Sequence, residues 1–148
     1  MLAFNLIVYI GNCKMEKYNK VIKLNNFEPK ENALSEKELR IQLAAAYRIF
    51  NYLKWDYLIY GHITVRVPGP EKHFLINPFG LRYDEVTASN LVKIDLKGNI
   101  VEPSPHPVNP AGFIIHSAIH SAREDAHCVM HTHTPAGMAA AALKHPIK

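Results

Sequence analysis

Apolar and polar positions change period several times along the chain, and each change marks an element. From Leu39 the apolar residues Leu43, Ala46, Phe50 and Leu53 follow at steps of four, three, four and three. That spacing puts them on one face of a helix. Ser35-Glu36-Lys37-Glu38 in front of it reads as a capping box, with Ser35 at the N-cap and Glu38 returning to its amide. After Tyr60-Gly61 the period falls to two. His62-Ile63-Thr64-Val65-Arg66-Val67 alternates and is rich in β-branched residues, which predicts a strand. Pro68-Gly69-Pro70 is a turn, residues 73–76 a paired strand, and Asn77-Pro78-Phe79-Gly80 a break. A short helix is expected over residues 85–91, opening at Asp84 or Thr87, then a hairpin around Lys97-Gly98. Pro103, Pro105, Pro107 and Pro110 stiffen the following loop. Asn109 is a good N-cap and Pro110 suits the first helical position, so a helix starts there on an Ile115, Ile119, Ala122 stripe. Arg123-Glu124-Asp125 ends it. Residues 127–132 read as a buried strand, and Pro135-Ala136-Gly137 opens an Ala-rich helix expected to run to Lys148.

Residues 1–34 lack this periodicity and are expected to form an irregular, loosely attached extension. Within them the apolar run 2–10 is too short to span a bilayer and lacks the flanks of a signal peptide. It reads as a short strand or as an artefact of an early start, with Met15 the true first residue. The whole chain of 148 residues suits one domain, residues 35–148. Its net charge of +4 comes from scattered rather than clustered Lys and Arg. A nucleic-acid binder would gather them into a stripe, so no nucleic-acid or membrane partner is expected. Cys13 and Cys128 are too few and too far apart for a disulfide framework, which predicts reduced thiols in a cytoplasmic protein.

The sharpest chemical feature is Val129-Met130-His131-Thr132-His133-Thr134-Pro135. At strand period His131 and His133 share a face, where two imidazoles could bind one divalent ion; Zn²⁺ suits such donors best. The bland alternative is two histidines at a strand end. Cys128 has the opposite parity and reads as a small buried hydrophobe. His116 and His120 lie four apart on the preceding helix. The functional reading is a second ligand pair or an acid/base group, and the bland one a polar helix face or packing with a satisfied ring nitrogen. For His120 the bland reading is preferred; His116 stays open between the two, because Gly112 lies one turn before it.

The runs Gly61-His62-Ile63-Thr64-Val65-Arg66, Leu75-Ile76-Asn77-Pro78-Phe79-Gly80 and His131-Thr132-His133-Thr134-Pro135-Ala136-Gly137 resemble the class II aldolase/adducin family. The resemblance covers the chain from about Ser35 onward, and the His-Thr-His run is its most specific part. It implies an α/β fold of three α/β/α layers around a mostly antiparallel sheet, incomplete at its C-terminal end. It also implies a homo-oligomer and a zinc site at which His131 and His133 match two of three histidine ligands. The family's third histidine lies beyond the point where this chain stops, so a truncated or split gene is expected. By the same resemblance Gly61, His62 and Gly80 fall in the substrate pocket. Three places depart from the sugar-phosphate aldolases of the family. Gly112 replaces an acidic residue that transfers a proton, which leaves His116 as the candidate catalytic group. His62 replaces an Asn, and Pro110 with Ala111 replace small hydroxylated residues, so phosphate donors are lost. The expected function is metal-dependent aldol cleavage or related enolate chemistry on a small hydroxy-carbonyl compound, weak or lost in this chain. The alternative is a non-catalytic adducin-like scaffold that binds actin or another protein, or a degraded gene product.

Overall fold

The computed structural model describes residues 34–145 and, for its backbone, the segment 6–10. Strand β1 spans Leu6–Ile10 and helix α1 spans Glu36–Tyr52. Strands β2, β3 and β4 are His62–Arg66, Phe74–Ile76 and Val92–Ile94. Helix α2 spans Pro110–Ala122, strand β5 Cys128–Thr132 and helix α3 Pro135–Ala141. The five strands form one sheet in the order β1-β5-β2-β3-β4, and every pairing is antiparallel.

Strand alternation divides the core between the two faces of the sheet. Ile63 and Leu75 pack with Leu43 and Tyr47 of α1, beside Val67, Tyr83, Val86 and Leu91. Phe74, Ile76, Val92 and Ile94 point the other way and pack against Phe113 of α2. One helix on each face gives the expected three layers. Both helix starts form as the sequence predicts. The Ser35 amide donates to the Glu38 carboxylate at 2.8 Å, and Asn109 Oδ1 accepts from the Ala111 amide at 3.0 Å. At the other end of α2, the Arg66 guanidinium donates to the His120 and Arg123 carbonyls at 2.6 and 3.1 Å. A cation there suits the negative end of the helix.

Tyr47 ties α1 to the sheet where the β2–β3 ladder ends. Its hydroxyl donates to the Ile63 carbonyl at 2.5 Å and accepts from the Ile63 amide at 2.7 Å, with Asn77 Oδ1 at 2.9 Å. An ionic cluster joins the same helix to β4 and the proline loop: Glu36 pairs with Arg40 and Lys93, and Glu102 pairs with the same two cations.

Three expectations need correction. The helix over residues 85–91 is instead one 3-10 turn, Tyr83–Glu85. Side chains take the amides that a longer helix would use: Thr87 N donates to Asn90 Oδ1 at 2.8 Å and Asn90 N to Thr87 Oγ1 at 3.2 Å. The last helix stops at Ala141 rather than running on. Pro146 disfavours helical geometry at His145, so the helix has to end before it. Finally, residues 6–10 of the expected irregular extension are not irregular: of the two readings of the apolar run, the short strand holds, and it pairs with β5 in register, Leu6 opposite Thr132. Leu-Ile-Val-Tyr-Ile has high strand propensity and meets an otherwise open edge of β5. Residues 1–5 and 11–33, with Cys13 and the candidate start at Met15, lie outside the described residues.

Candidate metal centre

Strands β2 and β5 lie side by side with His62 directly opposite His131. Alternation turns His62, Thr64 and His131 toward α2, which presents His116 and His120 one turn apart. The five side chains form a continuous line. His131 Nδ1 lies 3.1 Å from His62 Nε2, and His62 Nδ1 lies 2.9 Å from His116 Nε2. His116 Nδ1 is 2.7 Å from Thr64 Oγ1, which is 2.9 Å from His120 Nε2. His120 Nδ1 ends the line, 3.1 Å from the Ala126 carbonyl. No member is more than 4% exposed. At the opposite end, His131 Nε2 is buried and has no hydrogen-bond partner among the described residues. His133 follows β5, and its ring centre lies 4.7 Å from that of His131. Tyr57 stacks on the His133 ring with centres 5.9 Å apart.

Burial, with no carboxylate partner among the described residues, keeps these rings neutral. It pushes His62 down to about 3, helped by His131 and His133. Burial pushes His116 to about 2, with His62, His120 and His131 adding to it. His120 falls to about 4 through burial and the nearby Arg66, against the pull of the Ala126 carbonyl. His131 falls to about 4 through burial and His133. Each is therefore a neutral imidazole with one N–H and one lone pair. Cys128 faces the other side, as its parity predicts, and packs against the α1 cluster. Burial raises its thiol to about 11.

The residues singled out from the sequence do not all converge. His62, His116 and His131 meet in the line, and His133 flanks it. Gly61 is held close by its neighbours: a Cβ there would collide with the Tyr83 hydroxyl and sit 3.3 Å from the His131 carbonyl. Gly80 sits in a turn at φ +91° with nothing within 4 Å of its Cβ position. Gly112 lies in α2 directly over His62, where a Cβ would come within 2.9 Å of the imidazole Cδ2. The His62 ring therefore occupies the space a side chain at position 112 would need, and two of the three departures noted in the sequence are one packing event. His120 packs with satisfied nitrogens, as preferred. Thr64 was not singled out at all; its parity with His62 was the one available signal.

The donors present fit part of a metal shell. Two imidazoles bound to one zinc at about 2.0–2.1 Å place their ring centres about 5 Å apart. The His131–His133 separation of 4.7 Å is close to that, and the orphaned His131 Nε2 is the nitrogen a metal would take. Among the described residues no group of three or more His, Cys, Asp or Glu is arranged to hold an ion. Also among them, no helix is long and apolar enough to cross a membrane.

The comparisons with known proteins agree with this architecture. A solved aldolase II superfamily protein from Pseudomonas syringae is 53% identical and superposes with a TM-score of 0.71, over 77% of this chain and 46% of that one. An L-fuculose 1-phosphate aldolase from Glaciozyma antarctica PI12 is 38% identical with a TM-score of 0.72, over 80% of this chain and 50% of that one. Alpha-adducin of Rattus norvegicus is 56% identical over 111 residues, which are 74% of this chain and 15% of the rat protein. The chain thus spans half or less of the length of these relatives. The profile of the class II aldolase and adducin N-terminal domain matches residues 41–148, and the chain belongs to that family.

Proposed function

We propose that this chain carries part of a divalent-metal centre of the class II aldolase type, with His131 and His133 as two imidazole ligands. The observation that supports this most is the buried, unpartnered Nε2 of His131 beside the His133 ring. Buried polar atoms without partners are rare and call for an explanation. Zinc is the preferred ion on donor chemistry, with water or another protein group completing its shell. A bound zinc would polarise the carbonyl and hydroxyl oxygens of a small hydroxy-carbonyl compound, the Lewis-acid part of aldol cleavage or related enolate chemistry. Of the residues put forward for proton transfer or substrate contact, His116 and His62 have both ring nitrogens engaged inside the protein. We therefore assign them to positioning. Gly112 supplies no proton, so aldolase turnover by this chain alone should be weak or absent. Titration calorimetry with Zn²⁺ tests the metal reading. One site is expected, lost in His131→Ala and in His133→Ala; an unchanged isotherm for either variant would remove that residue from the site.

A second reading, an adducin-like scaffold, is favoured by the apolar shelf of Trp55, Tyr57, Leu58 and Tyr60, each 44–62% exposed. Exposed apolar surface of this kind suits a protein partner, either a further copy of the chain or actin. Cosedimentation with filamentous actin, lost in Trp55→Ser together with Leu58→Ser, would favour it. A protein that retains stoichiometric zinc and ignores actin would exclude it.

A further inference from the structure

The line of contacts from β5 through α2 has a direction. The Ala126 carbonyl can only accept, so His120 must carry its proton on Nδ1 and a lone pair on Nε2. The Thr64 hydroxyl has one proton and must donate it to that lone pair. Thr64 Oγ1 then accepts from His116 Nδ1–H, which leaves His116 Nε2 bare. His62 must donate to that nitrogen from Nδ1, and His131 must donate from its own Nδ1 to His62 Nε2. The last atom is His131 Nε2, left with a lone pair and no partner among the described residues.

The reverse order fails at both ends. It would set a lone pair of His120 Nδ1 against the Ala126 carbonyl oxygen. It would also leave a buried N–H on His131 Nε2 with nothing to accept it. The forward order satisfies every internal contact, and the one unsatisfied atom it leaves is an acceptor.

We propose that Ala126, His120, Thr64, His116 and His62 form a one-way tautomer relay that fixes the proton of His131 on Nδ1 and presents its Nε2 lone pair to a metal ion. Metal-bound histidines commonly donate their second nitrogen to a single carbonyl or carboxylate, which sets the tautomer directly. Here the carbonyl that sets it lies five groups away, in the segment that leads into β5. Thr64 is the pivot. It is the one member whose proton can rotate, and it joins the two α2 histidines, passing the direction set at His120 on to His116. Thr64, His116 and His120 are thus positioning residues. The inference deepens the metal reading, but the tautomers belong to the metal-free protein and can be read without an ion.

The experiment is two-bond ¹H–¹⁵N correlation NMR of the histidine rings in the full, metal-free chain at neutral pH, followed by Zn²⁺ calorimetry on the same samples. In the unaltered protein His62, His116, His120 and His131 should all show a protonated Nδ1 and a bare Nε2. Thr64→Val keeps the side-chain shape and removes the hydroxyl, so the direction is no longer set. The Nε2–H form should then appear at His131, and zinc affinity should fall about 10–100-fold, the usual effect of losing an outer-shell partner. Thr64→Ser should keep both the tautomers and the affinity. An Nε2–H proton on His131 in the unaltered chain would overturn the relay. So would a folded Thr64→Val protein with unchanged tautomers. If Thr64→Val does not fold, the unaltered chain and Thr64→Ser still decide the point. The predicted tautomers without zinc binding would leave the relay standing and remove the metal reading instead.

Discussion

His62 and Gly112 show how one side chain sets the chemistry available to its neighbour. The imidazole is held at both nitrogens and lies where a Cβ on residue 112 would come within 2.9 Å. It cannot swing away without breaking two hydrogen bonds. Alanine at position 112 would gain about 1 kcal/mol of helix propensity, while overpacking in a tied core typically costs about 1–3 kcal/mol. Overpacking should win, and Gly112→Ala should lower stability by about 1 kcal/mol in urea denaturation. In a His62→Asn background the smaller side chain relieves the clash, and the same change should become neutral or stabilising. Additivity of the two substitutions would show that the residues are not coupled. The pairing of His131 with His133 was legible, since strand period alone places them together. The contact of His62 with His116 was not. It depends on β2 lying beside β5 and on α2 crossing both, and no local spacing encodes an approach between residues 54 apart.

At the scale of elements, α1 is joined to the sheet by apolar packing and, at one point, by a hydroxyl. Tyr47 is fully buried, and its hydroxyl serves both backbone groups of Ile63 beyond the last β2–β3 pair. Phenylalanine would fit the same space but leave a buried amide and a buried carbonyl unpaired, at about 1–3 kcal/mol each. Tyr47→Phe should therefore destabilise the chain by about 2–6 kcal/mol, seen as a lower urea midpoint at unchanged slope. A change under about 0.5 kcal/mol would mean that other groups take over those bonds. Spacing places Tyr47 on the buried face with Leu43, Ala46 and Phe50, but the bonds its hydroxyl makes to Ile63 were not legible in the sequence. What the sequence did carry were elements with local punctuation: the Ser35 capping box, the Asn109-Pro110 start and the alternation of β2. Elements decided by competition or by distant partners were less legible. Thr87 and Asn90 capture amides that a helix would have used, and β1 was readable only as one of two alternatives because its partner edge comes from a strand over a hundred residues away.

For the whole molecule, Gly112 and the proposed two-imidazole metal site point to one expectation. General acid–base catalysis is typically worth about 10²–10⁴-fold, and nothing at position 112 supplies it. Incubated with Zn²⁺ and L-fuculose 1-phosphate, the chain should show no appreciable cleavage; turnover abolished by His133→Ala would overturn that. The same buried histidines also govern global stability. Their ordinary value is 6.5, and in the folded chain they lie at about 2 to 4. Between those values the unfolded chain binds protons that the folded chain refuses. A lowered folded value means the contribution is complete above 6.5 and is lost as pH falls below it. Each such proton removes about 1.4 kcal/mol per pH unit, so the first alone removes about 3 kcal/mol between pH 6.5 and 4.5. The carboxylates shifted by neighbouring cations titrate lower than this window. Arg82, Lys72 and Arg123 hold Asp84, Glu124 and Asp125 below the ordinary carboxylate range, so their contributions fade at lower pH. Urea midpoints measured from pH 7.5 to 4.5 should be level above about 7 and fall steeply below 6. His120→Phe, which removes one buried titrating ring, should flatten the slope. A midpoint that stays level down to pH 5 would show that the histidine line accepts protons while folded, and that the rings are not held neutral as their burial requires.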